Sequence, residues 1–177
     1  MANIPKSVLI AAAKIKLVLL DVDGVMTDGK LYYGNSGEEI KAFNIRDGLG
    51  IKLLQQGGIQ VGIITGRISE LLQRRACELV MEPIIQGRED KLCALLELLQ
   101  STTVTLEEIA FMGDDLPDLS VITNVGLGVA VADASAILIA KSDWQTSKIG
   151  GDGAVRELAE MILVAQGKWD DIESSYQ

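Results

Sequence analysis

Two groups of acids follow directly on apolar runs. Asp21 and Asp23 come straight after Leu17 to Leu20, and Asp114, Asp115 and Asp118 come after Ile109 to Met112. Carboxylates crowded at one rim repel each other unless a cation sits among them. Hard oxygen donors with no histidine or cysteine beside them suit Mg²⁺, which takes one or two carboxylates and fills its shell with water and substrate phosphate. Asp21, ionised at neutral pH, is a candidate nucleophile that forms an aspartyl-phosphate without an activating base. Asp23 stands two residues further on, where it can protonate a leaving oxygen and later deprotonate a water. Thr65 offers a hydroxyl to a phosphoryl oxygen, and Lys91 offers a compact positive charge. Singly, each residue has a plainer explanation: an Asp-Gly turn, a helix cap or a solvated lysine. As a set they make a complete phosphoryl-transfer site.

Composition narrows the alternatives. The 177 residues contain no histidine, which removes Ser-His-Asp and Cys-His catalysis and histidine-ligated zinc. The formal charge of −9 lacks the electrostatics of a nucleic-acid binder. The chain is 48% hydrophobic and 23% charged, enough to bury a core as one domain spanning residues 1–177. Cys77 and Cys93 form no CxxC pair and fall in helix-periodic stretches, so buried reduced thiols are expected. Lys14 and Lys16 interrupt the apolar N-terminal stretch, and no cleavage pattern follows. Neither a signal peptide nor a membrane span is expected, and the predicted location is the cytoplasm.

These acids need a scaffold that brings distant segments to one edge. Leu17 to Leu20, Ile59 to Ile64, Ile109 to Met112 and Leu127 to Val131 read as buried strands. Helical periodicity marks Gly48 to Gln56, Ile68 to Val80, Leu92 to Leu99 and Val155 to Ile162. Lys30 to Tyr33 and Glu38 to Asn44 flank Gly34-Asn35-Ser36-Gly37, which predicts a β-hairpin flap over about 30–44. Strand–helix alternation predicts an α/β fold with a doubly wound, mostly parallel sheet, in which ligands bind beyond the carboxyl ends of the strands. A glycine-rich C-terminal tail starts at about 148, and Gly150 to Gly153 is flexible enough to close over a ligand. EF-hand, dinucleotide and Walker A patterns fail on inspection.

At these residues the chain resembles the haloacid dehalogenase superfamily of phosphatases. The superfamily's four motifs correspond to Asp21-Val22-Asp23-Gly24, Ile64-Thr65-Gly66-Arg67, Lys91 within Gly87-Arg88-Glu89-Asp90-Lys91, and Gly113-Asp114-Asp115-Leu116-Pro117-Asp118. The resemblance implies that Asp21 is nucleophile and metal ligand. Asp23 would be general acid/base with its backbone carbonyl on Mg²⁺, and Asp114 a metal ligand. It also implies phosphate binding by Thr65 and Lys91, with Asp115 orienting the metal shell and Asp118 supporting it less directly. Longer stretches, including Lys41-Ala42-Phe43-Asn44-Ile45-Arg46-Asp47-Gly48 and Gly150-Gly151-Asp152-Gly153-Ala154-Val155-Arg156-Glu157, are similar to the family of 3-deoxy-D-manno-octulosonate 8-phosphate phosphatases. That narrower resemblance implies hydrolysis of a phosphorylated sugar acid in lipopolysaccharide synthesis, and a homotetramer. Asp152, where a basic residue is expected, and Ser135, where histidine often stands, depart from the pattern.

The motif spacing carries a further expectation. The intervals from Asp21 to Thr65 and from Thr65 to Lys91 are filled by the core elements, so neither holds a cap domain. Phosphoryl transfer gains from excluding bulk water, so a neighbouring subunit is the expected roof, with the hairpin as donor. Gly66 and Arg67 extend the substrate-binding edge, and Arg67 can take a substrate carboxylate. Three other readings remain: a nine-carbon sialic-type 9-phosphate phosphatase, a broad-specificity phosphatase, and a receiver-like signalling domain. The last puts its threonine and lysine in a different chain order.

Overall fold

Leu17–Leu20 are all buried, and they form β1 near the middle of a six-stranded parallel sheet. The sheet order is β5 (Ile84–Ile85), β4 (Gln60–Ile64), β1, β6 (Ile109–Gly113), β7 (Leu127–Ala130) and β8 (Trp144–Gln145). The computed structural model describes residues 4–35 and 39–176. The continuous apolar runs of β1 and β6 are those of strands covered on both faces.

Register fixes where the site lies. Leu20 pairs with Ile63 on one side and Met112 on the other, and the Asp21 N–H donates to the Met112 carbonyl at 3.0 Å. The three central strands therefore end level, and the residues that follow them share one edge.

The helices are α1 (Lys6–Ala12), α2 (Ile45–Gln56), α3 (Glu70–Glu78), α4 (Lys91–Leu99), α5 (Leu119–Ile122), α6 (Ala136–Lys141), α7 (Ala154–Ala165) and α8 (Trp169–Ser174). Right-handed crossovers from β1 through β4 to β5 put α2 and α3 on one face. Connections running the other way put α4, α5 and α6 on the opposite face. Helix α7 packs on α2 and α1, while α5 packs on α4 and α6. No helix among the described residues is long and apolar enough to cross a membrane.

Several expected boundaries move, each for a local reason. Helix α2 begins at Ile45 rather than Gly48, because the Asn44 side chain accepts the Arg46 N–H at 2.8 Å and caps it. Helix α3 spans less than Ile68 to Val80. Ser69 caps its start, and Val80 takes a positive φ of 52° beyond its end. The hairpin pairs over only two residues a side, β2 (Tyr32–Tyr33) and β3 (Glu39–Ile40), with Tyr32 opposite Ile40. An isolated two-stranded ribbon has little to hold it beyond such cross-strand pairs. Ser36 and Gly37 of the expected turn lie outside the described residues. Cys77 and Cys93 do sit in α3 and α4, but both are exposed, off the buried stripes of Leu72 and Ala76 and of Ala94 and Leu95.

Candidate active site

After β1 the chain turns sharply. The Val22 carbonyl accepts the N–H groups of Met26 and Thr27, and Thr27 Oγ1 accepts those of Gly24 and Gly29. This loop presents Asp21 and Asp23. Gly24 has φ +97°, and a Cβ on it would collide with the Asp114 carboxylate, so only glycine lets the loops after β1 and β6 approach this closely. After β6, Asp115 starts a tight 3-10 turn (Leu116–Asp118) as a capping box. The turn folds Asp118 back, and its Oδ2 accepts the Asp114 N–H at 3.0 Å and the Asp115 N–H at 3.4 Å.

The buried Lys91, the first residue of α4, joins the two acidic loops. Its Nζ lies 2.7 Å from Asp21 Oδ1 and 2.5 Å from Asp118 Oδ1. Burial works against the lysine's charge, but Asp21 and Asp118 outweigh it and hold its pKa above the ordinary value. Asp118 is 1% exposed and anchors both Lys91 and the backbone of the loop after β6. That is a more central position than the indirect support expected of it.

Asp21, Asp114 and Asp118 bring carboxylate oxygens within 4.8 Å of one another. Burial, then the Asp118 charge, raises Asp21 from 3.8 to about 6 against the pull of Lys91. Burial and the charges of Asp21 and Asp118 raise Asp114 to about 7. Oxygen donors this crowded and desolvated fit a small divalent cation, which would remove the repulsion. The Asp23 carboxylate is outside this trio, and the family resemblance implies that Asp23 would offer its backbone carbonyl to the cation.

The other selected residues fall on the same cleft, which measures about 570 Å³. Asp21, Asp23, Thr65, Lys91 and Asp114 line it, and Gly66, Arg67, Asp115 and Asp118 complete its wall. Thr65 is buried and held by its backbone, with its N–H on the Ile85 carbonyl and its own carbonyl on the Arg88 N–H. Arg67 Nε stands 3.5 Å from Asp23 Oδ2.

Sequence reasoning missed Lys41. It follows β3, its side chain is 2% exposed, and its Nζ donates to Asp23 Oδ1. Nothing local marks a lysine 18 positions from its partner, apart from its apolar neighbours Ile40, Ala42 and Phe43.

The glycine-rich tail is held down by hydrogen bonds. The Gly151 N–H donates to the Val25 carbonyl and the Gly150 N–H to Asp133 Oδ1, while Asn44 Nδ2 donates to the Gly151 carbonyl. Asp47 accepts the N–H groups of Gly153 and Arg156 at the start of α7. The tail is thus strapped against the loop that carries the nucleophile candidate. Asp152 is exposed on a separate cleft with Arg46, Lys148 and Arg156. Ser135 donates its N–H to the Asp114 carbonyl.

Comparison with known proteins agrees with this geometry. Residues 76–158 match the haloacid dehalogenase-like hydrolase family. The 3-deoxy-D-manno-octulosonate 8-phosphate phosphatase of Escherichia coli (strain K12) is 48% identical over 164 residues, covering 93% of this chain and 87% of that protein. Its Yersinia pestis counterpart is 52% identical over 157 residues, covering 89% and 84%. The crystal structure of the Moraxella catarrhalis phosphatase of the same name, in complex with magnesium, phosphate and KDO, aligns with a TM-score of 0.94. Its identity is 45%, with 96% of this chain and 98% of that one covered. The receiver-like reading falls with these matches, since the relatives are phosphatases. With four motifs gathered at one strand edge and relatives matched along most of its length, the chain belongs to the 3-deoxy-D-manno-octulosonate 8-phosphate phosphatase family of haloacid dehalogenase-like hydrolases.

Proposed function

We propose that this enzyme hydrolyses 3-deoxy-D-manno-octulosonate 8-phosphate to the free sugar acid and inorganic phosphate, as a step in lipopolysaccharide synthesis. The observation that carries the reading is the junction of Asp21, Asp114 and Asp118 with buried Lys91 at the ends of β1 and β6. Asp21 and Asp114, with the Asp23 backbone carbonyl, would hold Mg²⁺, and Asp115 and Asp118 would steady that shell. Once bound, the cation supplies charge neutralisation for an anionic substrate and for the carboxylates themselves.

An Asp21 carboxylate oxygen attacks phosphorus and the ester P–O bond breaks. Asp23, in its acid form, gives its proton to the leaving alkoxide, so the sugar acid departs as an alcohol. The Asp23 carboxylate then takes a proton from water. The water oxygen attacks phosphorus, the P–O bond to Asp21 breaks, and phosphate leaves with Asp21 restored. Thr65 and the Gly66 backbone orient the phosphoryl oxygens, and Lys91 offsets the charge that builds on them. Arg67, at the open edge, is placed for the substrate's own carboxylate.

The cleft lacks a roof among the described residues of its own chain, and this reading assigns the roof to another copy. Tyr33 is 69% exposed and Ile40 64% exposed on the hairpin, and Ile68 is exposed next to Arg67 at the cleft. An unsupported apolar ribbon of this kind suits pairing across a symmetry axis, and a homotetramer is the proposed assembly. The cytoplasm is the proposed compartment, where the exposed thiols of Cys77 and Cys93 stay reduced.

Initial rates on the eight-carbon 8-phosphate, a nine-carbon sialic-type 9-phosphate and p-nitrophenyl phosphate, with Mg²⁺ and with EDTA, test the reading. A clear preference for the eight-carbon ester that EDTA abolishes is expected. Equal rates on all three, or turnover indifferent to EDTA, would overturn the assignment.

A further inference from the structure

The contact between Lys41 and Asp23 ties the hairpin to the reacting centre, and none of the four motifs contains Lys41. The side chain is 2% exposed, so its ammonium is largely removed from water and needs a carboxylate in compensation. It donates to Asp23 Oδ1, while Asp23 Oδ2 is buried, accepts no hydrogen bond and faces Arg67 Nε across a longer 3.5 Å ion pair. An oxygen already accepting from an ammonium is a poor place for a proton, whereas Oδ2 meets only the longer approach of Arg67 and keeps its lone pairs free of hydrogen bonds, so it is the better site for one to ride.

We propose that Lys41 is a positioning residue for the proton-transfer steps. It clamps Oδ1, so that Oδ2 delivers the proton to the leaving oxygen and later receives one from water. This rests on Asp23 acting as the general acid/base. The residues next to Lys41 extend the same logic. Asn44 and Asp47 bind the tail that lies over the loop carrying Asp21 and Asp23. The base of the hairpin thereby holds the acid/base carboxyl from one side and its loop from the other.

Leaving-group chemistry separates this role from a structural one. The full-length Lys41→Met, Lys41→Arg and Asp23→Asn proteins are assayed with Mg²⁺ on the sugar-acid 8-phosphate, which loses an alkoxide, and on p-nitrophenyl phosphate, which loses a stable anion. Lys41→Met is expected to lower kcat on the alkyl ester by about 10²-fold, with KM changed less than about threefold. On the aryl ester it is expected to give a burst of about one phenolate per site and then slow turnover, because only the second step needs the proton transfer. Lys41→Arg is expected to restore alkyl turnover to within about tenfold of the parent. The ratio of the two rates is unaffected by any fraction of a variant that fails to fold.

Equal losses on both esters with no burst, or alkyl turnover like the parent's in Lys41→Met, would overturn the proposal. Asp23→Asn supplies the separate control. If it does not discriminate between the esters, the acid/base reading of Asp23 fails and takes the proposal with it. If it discriminates and Lys41→Met does not, only the Lys41 assignment is lost.

Discussion

The rim of the sheet and the hairpin beside it are built on opposite principles. At the rim, Asp21, Lys91 and Asp118 are buried, and the loops around them are held by redundant backbone bonds. Burial and the mutual repulsion of the Asp21, Asp114 and Asp118 carboxylates outweigh what Lys91 offsets, so the rim costs stability that a cation restores. The hairpin has two paired residues a side, exposed Tyr33 and Ile40, and a tie inward through Lys41. In the proposed reaction, chemistry is carried by the rigid part, and closure is left to the part that is incomplete by itself. Preorganised charge supports catalysis only if the scaffold over-determines it, whereas a roof must open for substrate and can be lent by a neighbour.

The comparison breaks most visibly at Asp21. Asp21→Asn is expected to lower turnover by about 10⁴-fold or more. It is also expected to leave the metal-free protein melting at or above the parent's temperature, because burial and the Asp118 charge oppose the Asp21 carboxylate. Steady-state rates and thermal melts on the same preparation check both. Retention of a tenth of the activity would remove Asp21 as nucleophile.

Gly24→Ala is expected next, at about 10²-fold or more in turnover. Its side chain meets the Asp114 carboxylate at a backbone angle that favours glycine, and a displacement of that size misplaces the reacting groups. A variant with ordinary magnesium response and full activity would show that the two acidic loops need not meet.

The pH response comes third. Asp21 and Asp114 are raised from 3.8 to about 6 and about 7, so between pH 4 and 7 the folded metal-free chain keeps protons that the unfolded chain has lost. Their contribution to metal-free stability therefore declines as pH rises through that window. Magnesium binding needs the unprotonated carboxylates and strengthens over the same range. The melting-temperature gain from Mg²⁺ is expected to be larger at pH 8 than at pH 5.5. An equal gain at both would contradict a cation seated among these acids.

The smallest effect is predicted on the hairpin side. Replacing Tyr33 and Ile40 together by serine is expected to change the stability of the chain itself by no more than about 0.5 kcal/mol, since both are exposed. In light scattering the variant is expected to run at lower mass, with turnover reduced about tenfold as the roof is lost. A monomer with full activity would mean the cleft needs no roof.

What could be read from the sequence divides along the same line. The rim was legible because an apolar strand that stops abruptly at an acid states both the element and its edge. The parallel register of β1, β4 and β6 then makes those edges coincide. The start of α2 was signalled by Asn44 but overridden by reading the hairpin strand through it. Edge strands β5 and β8 are two residues long, too short for any periodicity to show. Lys41 was illegible for a deeper reason: its partner is set by how the hairpin folds back, and no local pattern encodes that. The exposure of Cys77 and Cys93 likewise depends on which face of each helix meets the sheet.

The central claim is that the acids at the rim hold a divalent cation so that one of them attacks phosphorus. Crystals grown with magnesium and orthovanadate test it most directly. Magnesium is expected between Asp21 and Asp114, with vanadium at bonding distance from an Asp21 carboxylate oxygen and its equatorial oxygens facing Thr65 and Lys91. A rim without metal and with its carboxylates turned to solvent, or vanadate seated at the separate cleft of Arg46 and Arg156, would contradict it.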